Sequence, residues 1–134
     1  MILGRKNSKY RKGAKFEWEL KGMLEREGFA VVRSAGSHGV DLIAGRRGEI
    51  YAFECKSTSK ESLYISRDNI LKLLIFSERF GARPYIAVKI KRDVLFVDPY
   101  LLKLEGRSCL IDYHKISSIA LSFKELINSR ISKD

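Results

Sequence analysis

The sequence predicts one mixed α/β domain in which helices flank a central sheet. Length gives the first indication, because 134 residues suit a single domain that buries a core of its own. Helix-like and strand-like stretches alternate along the chain, and the predicted order of elements is αβββαββα. We therefore expect residues 1–134 to form one domain that carries a basic N-terminal arm at about residues 1–13.

The first helix is predicted at residues 14–27, where apolar residues recur at helical spacing and Gly28 ends the pattern. These apolar residues are Phe16, Leu20, Met23 and Leu24. The next run, residues 29–33, is β-branched and aromatic, which predicts a strand. Gly36 and Gly39 then indicate a turn.

A hairpin is predicted after this turn. Residues 40–44 and 50–56 are strand-like, and the sequence GRRGE between them is typical of a tight hairpin tip. Side chains alternate along a strand, so Phe53 and Cys55 are expected to face the core while Glu54 and Lys56 share the other face.

The second helix is predicted from Ser66, a suitable N-cap, to Phe80, with Gly81 as its end and Pro84 just beyond. Strands are expected at residues 85–90 and 94–97. A last, short helix is expected after residue 122, because Ser122 and Glu125 have the spacing of a capping box.

Charge indicates the class of partner. The chain has 26 Lys and Arg against 16 Asp and Glu, a net charge of +10, which favours nucleic acid or an anionic membrane surface. Residues 1–15 hold no acid and form the most basic segment, with Arg5, Lys6, Lys9, Arg11, Lys12 and Lys15. Such a segment is usually a solvated tail, and its functional interpretation is a phosphate-binding arm.

Several other classes are disfavoured by the sequence. No apolar run approaches the roughly 20 residues of a membrane-spanning helix, and no apolar region follows the basic N-terminus as in a secretory signal. Cys55 and Cys109 are too few and too far apart for a disulfide scaffold or a zinc cluster. We expect a reduced, cytoplasmic setting with no membrane partner and no small-molecule substrate.

Asp41, Glu54 and Lys56 are the candidate active-site residues. Antiparallel pairing across the hairpin places Asp41 beside the end of the second strand, within reach of Glu54. Two adjacent carboxylates repel, and a cation relieves that repulsion; oxygen ligands without Cys or His favour Mg²⁺ or Mn²⁺. A lysine two residues further along can act on a phosphoryl group or on the attacking water, as in metal-assisted phosphodiester hydrolysis.

The Glu-x-Lys spacing alone is a weak signal. Glu19 and Lys21 have the same spacing, but they lie in a predicted helix and no aspartate precedes them. A surface salt bridge between neighbouring strands is the alternative interpretation of Asp41, Glu54 and Lys56.

With these residues in this order, the chain resembles the PD-(D/E)xK nuclease superfamily and, within it, the archaeal-type Holliday junction resolvases. The motifs that carry the resemblance are YRKGAKFE (10–17), GFAVVRSAGS (28–37), VDLIAG (40–45), FECK (53–56), LYI (63–65) and FSERFGA (76–82). The resemblance covers residues 10–90 well and fades after residue 98. It implies a restriction-endonuclease-like core.

The resemblance also implies roles for individual residues. Asp41 and Glu54 are expected to bind the metal and Lys56 to serve catalysis. Glu17 corresponds to an additional acidic residue near the metal, and Ser37 to a serine near the active site. The catalytic set is thus Glu17, Ser37, Asp41, Glu54 and Lys56, with Glu17, Asp41 and Glu54 as metal ligands.

DNA contacts are expected around this site. The resemblance places Arg33 on the DNA-facing side together with Arg11 and Lys12 of the arm. Lys60 follows the second hairpin strand in a polar run, which suits either an ordinary loop or a DNA contact. Trp18 stands where relatives commonly carry an arginine.

The helix at residues 66–80 has apolar residues at every angle, more than one core-facing stripe requires. It is either buried on several sides or part of a dimer interface, and the resemblance implies dimerisation through this region. Phe76 and Phe80 lie four residues apart and therefore share one face, where they could anchor the dimer.

Three functions remain open from the sequence. The first is a homodimeric, Mg²⁺-dependent endonuclease that resolves four-way (Holliday) DNA junctions. The second is a nuclease of the same superfamily with another DNA target. The third is a basic nucleic-acid-binding module without catalysis.

Overall fold

The computed structural model describes residues 3–34 and 39–129, with side chains from residue 14 onward. The helices are α1 (Leu3–Arg26), α2 (Arg67–Phe80), α3 (Tyr113–Ile116) and α4 (Phe123–Asn128), and a 3-10 turn spans Pro99–Leu101. The strands are β1 (Ala30–Arg33), β2 (Leu42–Arg46), β3 (Glu49–Thr58), β4 (Ser62–Ser66), β5 (Arg83–Ile90), β6 (Asp93–Val97) and β7 (Ser108–Asp112).

A five-stranded sheet in the order β1-β2-β3-β5-β6 forms the centre of the molecule. Strands β3 and β5 run parallel and the other neighbours antiparallel, so the sheet is mixed. Chain order explains the mixture, because β2 and β3 are joined by a tight turn whereas α2 lies between β3 and β5. The predicted mixed α/β class is confirmed.

The alternation of side chains along β3 divides the core into two layers. Tyr51, Phe53 and Cys55 pack in one cluster with the buried residues of α1 and α4. Ala52, on the opposite face, packs in a second cluster with α2 and the small β4–β7 sheet. Helices therefore cover both faces, as the sequence predicted.

The predicted ends of α2 are confirmed. The Ser66 hydroxyl accepts a hydrogen bond from the Asn69 N–H at 3.1 Å, and Gly81 closes the helix with a φ of 81°. The capping box of α4 is confirmed too. The Ser122 hydroxyl accepts from the Glu125 N–H, and the Glu125 carboxylate accepts from the Ser122 N–H.

The predicted start of the first helix is wrong. α1 begins at Leu3 rather than at residue 14, so the backbone of the basic segment continues the helix. Lysine and arginine are good helix formers, and the segment has no proline to interrupt them. The apolar spacing begins only at Phe16, which is why periodicity placed the boundary too late.

Two strands escaped prediction. β4 and β7 pair antiparallel into a separate two-stranded sheet, with Leu63 opposite Ile111. The two segments are short and far apart in the chain, so neither one identifies its partner. Among the described helices, none is long and apolar enough to cross a membrane.

Gly39 fixes the entry into β2. It has a φ of +92°, and a Cβ there would lie 2.7 Å from Lys72 Cβ and 2.9 Å from the Asn69 carbonyl oxygen. The chain thus passes directly over the first turns of α2, two residues before Asp41. Only glycine combines this backbone conformation with so close an approach.

We expect Gly39→Ala to destabilise the protein by about 1–3 kcal/mol more than Gly48→Ala, the magnitude typical of overpacking. Gly48 is the matched control, because its φ of +81° imposes the same backbone strain but a Cβ there meets nothing within 4 Å. Denaturant unfolding of both variants measures the difference. Equal losses of stability would show that the contact with α2 contributes nothing.

Candidate active site

The start of β2 and the end of β3 bring Asp41 and Glu54 together. The Asp41 N–H donates to the Phe53 carbonyl at 2.7 Å, and the Asp41 carboxylate accepts from the Cys55 N–H at 2.7 Å. The first bond ties the Asp41 backbone to the residue before Glu54, and the second ties the Asp41 carboxylate to the residue after it. Asp41 is thereby held next to Glu54, whose pKa responds to the Asp41 charge. The hairpin register therefore creates the pair.

Glu54 is buried with an incomplete set of hydrogen bonds. Its side chain is 4% exposed, and its Oε2 has no hydrogen-bond partner among the described residues. Burial raises the pKa of Glu54 from 4.5 to about 8, and the hydrogen bond and charge of Asp41 add to the effect, while the Lys56 charge opposes it. A buried polar atom left without a partner costs free energy, which a ligand at this position would recover.

Glu17 comes close to this pair but is bound elsewhere. Its Oε1 accepts from Arg33 Nε at 2.8 Å, and both side chains are largely buried. Burial and the charge of Asp41 raise the pKa of Glu17, and Arg33 lowers it. Glu17 is therefore within electrostatic range of Asp41.

The assignment of Glu17, Asp41 and Glu54 as metal ligands stays a prediction. Within residues 3–34 and 39–129, no group of three or more His, Cys, Asp or Glu side chains is close enough to hold an ion. Glu17 is paired with Arg33 in this arrangement. The structure offers the two carboxylates of Asp41 and Glu54 as ligands, with Glu17 beside them.

Lys56 completes the arrangement. It lies on β3 two residues after Glu54, and its positive charge lowers the pKa of both Glu54 and Glu17. No ion pair of its ammonium occurs in the part of the chain that the structure describes. The ammonium is thus near both acids and, among the described residues, forms an ion pair with neither.

The second Glu-x-Lys sequence behaves differently. Glu19 accepts a hydrogen bond from Lys89, and Lys21 donates to Glu25, each at 2.7 Å. Both residues belong to ion pairs on the surface of the protein, and neither joins the carboxylate pair.

Not all predicted residues can be placed. Ser37 lies outside the described residues. So do the side chains of the predicted arm, namely Arg5, Lys6, Lys9, Arg11 and Lys12. Arg33 lies beside the site through Glu17, and Lys60 is exposed just beyond β3.

The sequence did not reveal a basic cleft at the end of β3. A cavity of about 190 Å³ lies between α1 and the ends of β3 and β5. Its lining residues are Lys15, Phe16, Glu19, Ser57, Thr58, Ser59, Lys89 and Lys91. The parallel register sets Lys89 opposite Ser57, so the cleft follows from a strand pairing that the sequence did not reveal.

The aromatic pair on α2 forms an exposed surface. The rings of Phe76 and Phe80 are stacked with centroids 5.2 Å apart. Phe80 and Ile75 are each about half exposed, while Phe76 also packs against the core. Together with Lys72 and Arg79 they line a shallow depression of about 320 Å³.

A mixed sheet with Asp41, Glu54 and Lys56 at the meeting point of two adjacent strands defines the class of the protein. It has the restriction-endonuclease-like fold of the nucleases that use two acids and a lysine. The chain belongs to the archaeal Holliday junction resolvase (Hjc) family, whose family model matches residues 8–134. The resemblance inferred from the motifs is thereby confirmed.

Individual relatives agree with this assignment. The chain is 56% identical over 119 residues to a crossover junction endodeoxyribonuclease Hjc from Methanocaldococcus jannaschii, covering 89% of each chain. It is 39% identical over 87 residues to the Hjc of Archaeoglobus fulgidus, covering 60% of this chain and 63% of that protein. A crystal structure of Archaeoglobus fulgidus Hjc superimposes with a TM-score of 0.78 at 32% identity, covering 86% of this chain and 94% of the other.

The raised pKa of Glu54 predicts how stability depends on pH without metal. A folded-state pKa of about 8 against a usual 4.5 means that the folded protein loses stability as the pH rises through this interval. Glu54→Gln removes the ionisation, so in EDTA its free energy of unfolding relative to that of the wild type should rise by a few kcal/mol from pH 5 to pH 9. Denaturant unfolding at both pH values measures this gain.

The exposed Glu105 provides the control, because Glu105→Gln should show no comparable change between pH 5 and pH 9. A constant difference between Glu54→Gln and the wild type across this range would contradict the burial of an ionisable carboxyl at this position.

Proposed function

We propose that this protein resolves four-way DNA junctions by metal-dependent hydrolysis of phosphodiester bonds in two opposed strands. The single observation that carries the proposal is the carboxyl group of Asp41 next to the buried carboxyl group of Glu54, with Lys56 beside them, in a chain of this family. The net charge of +10 is consistent with a polyanionic substrate.

A divalent cation suits the carboxylate pair. The unpartnered Oε2 of Glu54 is a free oxygen ligand, and Asp41 supplies a second carboxylate. Oxygen ligands of this kind favour Mg²⁺, with Mn²⁺ able to substitute. When bound by Asp41 and Glu54, the cation supplies Lewis-acid chemistry for phosphodiester hydrolysis.

The remaining residues perform distinct tasks in this reaction. The oxygen of a water molecule forms a bond to phosphorus while the bond from phosphorus to one sugar oxygen breaks, and that oxygen takes up a proton. Lys56 stabilises the negative charge that develops on the phosphate. Glu17 holds Arg33 through their 2.8 Å ion pair, so the guanidinium is positioned beside the site to contact the DNA backbone.

Homodimerisation would supply the second site. A four-way junction is nearly two-fold symmetric, and a two-fold symmetric dimer presents two matched sites to it. The exposed aromatic surface of Phe76, Phe80 and Ile75 on α2 is the contact that we propose. Aromatic residues packed at the centre of an interface commonly dominate its binding energy.

DNA contacts extend over the basic surface around the site. We propose that Arg33, Lys60 and the basic residues of the N-terminal segment contact phosphates. The residues of that segment are Arg5, Lys6, Lys9, Arg11 and Lys12. Phosphate contacts of this kind give affinity that falls with increasing salt.

Loss of either carboxylate should abolish cleavage and spare binding. We expect Asp41→Asn and Glu54→Gln to lower the cleavage rate by at least about 10³-fold, because each removes one of the two charged ligands. Binding of a labelled junction in EDTA should remain within a few-fold of the wild type. The measurement uses a synthetic four-way junction and a linear duplex, each with Mg²⁺ or with EDTA.

Glu19→Gln is the matched control, since it belongs to the other Glu-x-Lys sequence and should retain Mg²⁺-dependent cleavage. Rapid metal-dependent cleavage by both Asp41→Asn and Glu54→Gln would contradict the assignment. Equal cutting of the linear duplex by the wild type would point to another DNA target.

Polar substitution of the exposed α2 surface should separate the subunits. Phe80 and Ile75 are each about half exposed, so Phe80→Gln and Ile75→Gln should preserve the fold. Each substitution should raise the dissociation constant of the dimer roughly thirtyfold or more. Light scattering measures the mass. Tyr64→Thr, which removes an exposed aromatic ring from β4, is the control and should remain dimeric.

The functional consequence is paired cleavage. Mixed dimers with one Glu54→Gln subunit should nick only one strand of a supercoiled cruciform, whereas wild-type dimers nick both. A fully active monomer would refute the dimer and leave the metal site unaffected.

A further inference from the structure

We propose that Trp18 is a stacking platform for a nucleobase at the branch point of the junction, beside the active site. The proposal rests on the proposed function, because it assumes that junction DNA lies over Asp41 and Glu54. It assigns to Trp18 recognition of the branched substrate through the face of a base.

Trp18 occupies an unusual position on α1. It is 56% exposed, although Phe16 and Leu20 on the same helix are almost fully buried. The core therefore does not account for this side chain. An indole that presents more than half of its surface to solvent offers a flat face to which any base can stack.

Two cations accompany the indole ring. Arg33 Cζ lies 5.3 Å from the centroid of the Trp18 ring, and Lys21 Nζ lies 5.5 Å from it. Both distances are within the range of cation–π interactions. The half-exposed ring thus has positive charge over it, which complements the phosphates of a nucleotide whose base stacks on the indole.

Each cation is fixed in turn by a carboxylate. Glu17 accepts from Arg33 at 2.8 Å, and Glu25 accepts from Lys21 at 2.7 Å. The surroundings of the ring are therefore ordered before any ligand arrives, which lowers the entropic cost of binding. An isolated exposed aromatic residue would lack this support.

The ring is also close to the catalytic carboxylates. Glu17 directly precedes Trp18, and its pKa responds to the charge of Asp41. Arg33 pairs with Leu42 in the sheet, and the next residue, Ser34, donates its N–H to the Asp41 carbonyl at 2.8 Å. A base on Trp18 would therefore belong to a nucleotide near the phosphate that is cut.

Branched DNA differs from duplex DNA in the base surface that it exposes. Within a continuous duplex, neighbouring base pairs cover both faces of every base, and stacking on a protein requires that a pair be disrupted. At the branch point of an open junction the continuous stack is interrupted, so a base face is accessible without that cost. Trp18 would then favour the junction over the duplex.

The sole tryptophan of the chain reports on this site directly. We expect saturating four-way junction in EDTA to quench the Trp18 emission at least about twofold and to protect it from acrylamide, because a stacked base covers the ring. A linear duplex built from the same arm sequences should leave most of the emission and the acrylamide access unchanged.

Variants test the contribution of the ring to affinity. Trp18→Ala should weaken junction binding by roughly five- to hundredfold, the loss typical of a base–aromatic stack, and duplex binding by less than about twofold. Trp18→Phe, which keeps a flat ring, should restore most of the affinity. The salt dependence of Trp18→Ala should match the wild type, since no charge is lost.

Three results would overturn the proposal. They are equal quenching of the Trp18 emission by junction and duplex, unchanged junction affinity of Trp18→Ala, and equal quenching of the emission when the protein self-associates without DNA. If Trp18→Ala has the same melting temperature as the wild type, its loss of affinity is not caused by a folding defect. Failure here is distinguishable from failure of the proposed function, because junction cleavage by the wild type tests the latter separately.

Discussion

The burial of the Glu54 carboxyl beside that of Asp41 is the constraint on which the rest of the structure depends. A buried acid beside a second acid destabilises the folded chain unless other interactions hold the two groups in place. The Asp41 carboxylate is held by the Cys55 N–H, and the Asp41 backbone by the Phe53 carbonyl. The antiparallel β2–β3 pairing thus holds Asp41 next to Glu54 through these two hydrogen bonds.

The central strand β3 connects this site to both core layers. Tyr51, Phe53 and Cys55 pack against α1, and Ala52 packs towards α2. Any shift of β3 would therefore disturb both hydrophobic clusters. The strand is also paired on both sides, with β2 and with β5. Stability stored in these contacts allows the end of the strand to carry destabilising acids. This is a common relation between scaffold and site.

The basic surface follows from the same arrangement of strands. Because β5 runs parallel to β3, its last residues reach the same edge of the sheet, and Lys89 lies opposite Ser57. α1 borders that end of the sheet and supplies Glu17, which is paired with Arg33. The aromatic surface with Phe80 belongs to α2, the helix of the other core layer. The proposed catalytic and dimer surfaces are therefore built on different helices, and one sheet holds them at a defined separation.

Local patterns were sufficient to determine much of this protein. Helix ends at Ser66, Gly81 and Ser122 were predictable because capping depends on residues within one turn of each other. The hairpin that joins Asp41 to Glu54 was predictable because its turn and its alternation are short-range features. The motifs were also sufficient to identify the resolvase family.

The tertiary structure decided what depends on residues distant in sequence. The β4–β7 pair was missed because each strand lacks a local signal for its partner. The start of α1 at Leu3 was missed for a different, local reason, because no apolar stripe marks it. The ion pair of Arg33 with Glu17 depends on how a helix packs on an edge strand. So does the exposure of Trp18 between Arg33 and Lys21. The sequence determines which side chains carry charge, but the partner of each charged group is determined only when separate helices and strands pack together.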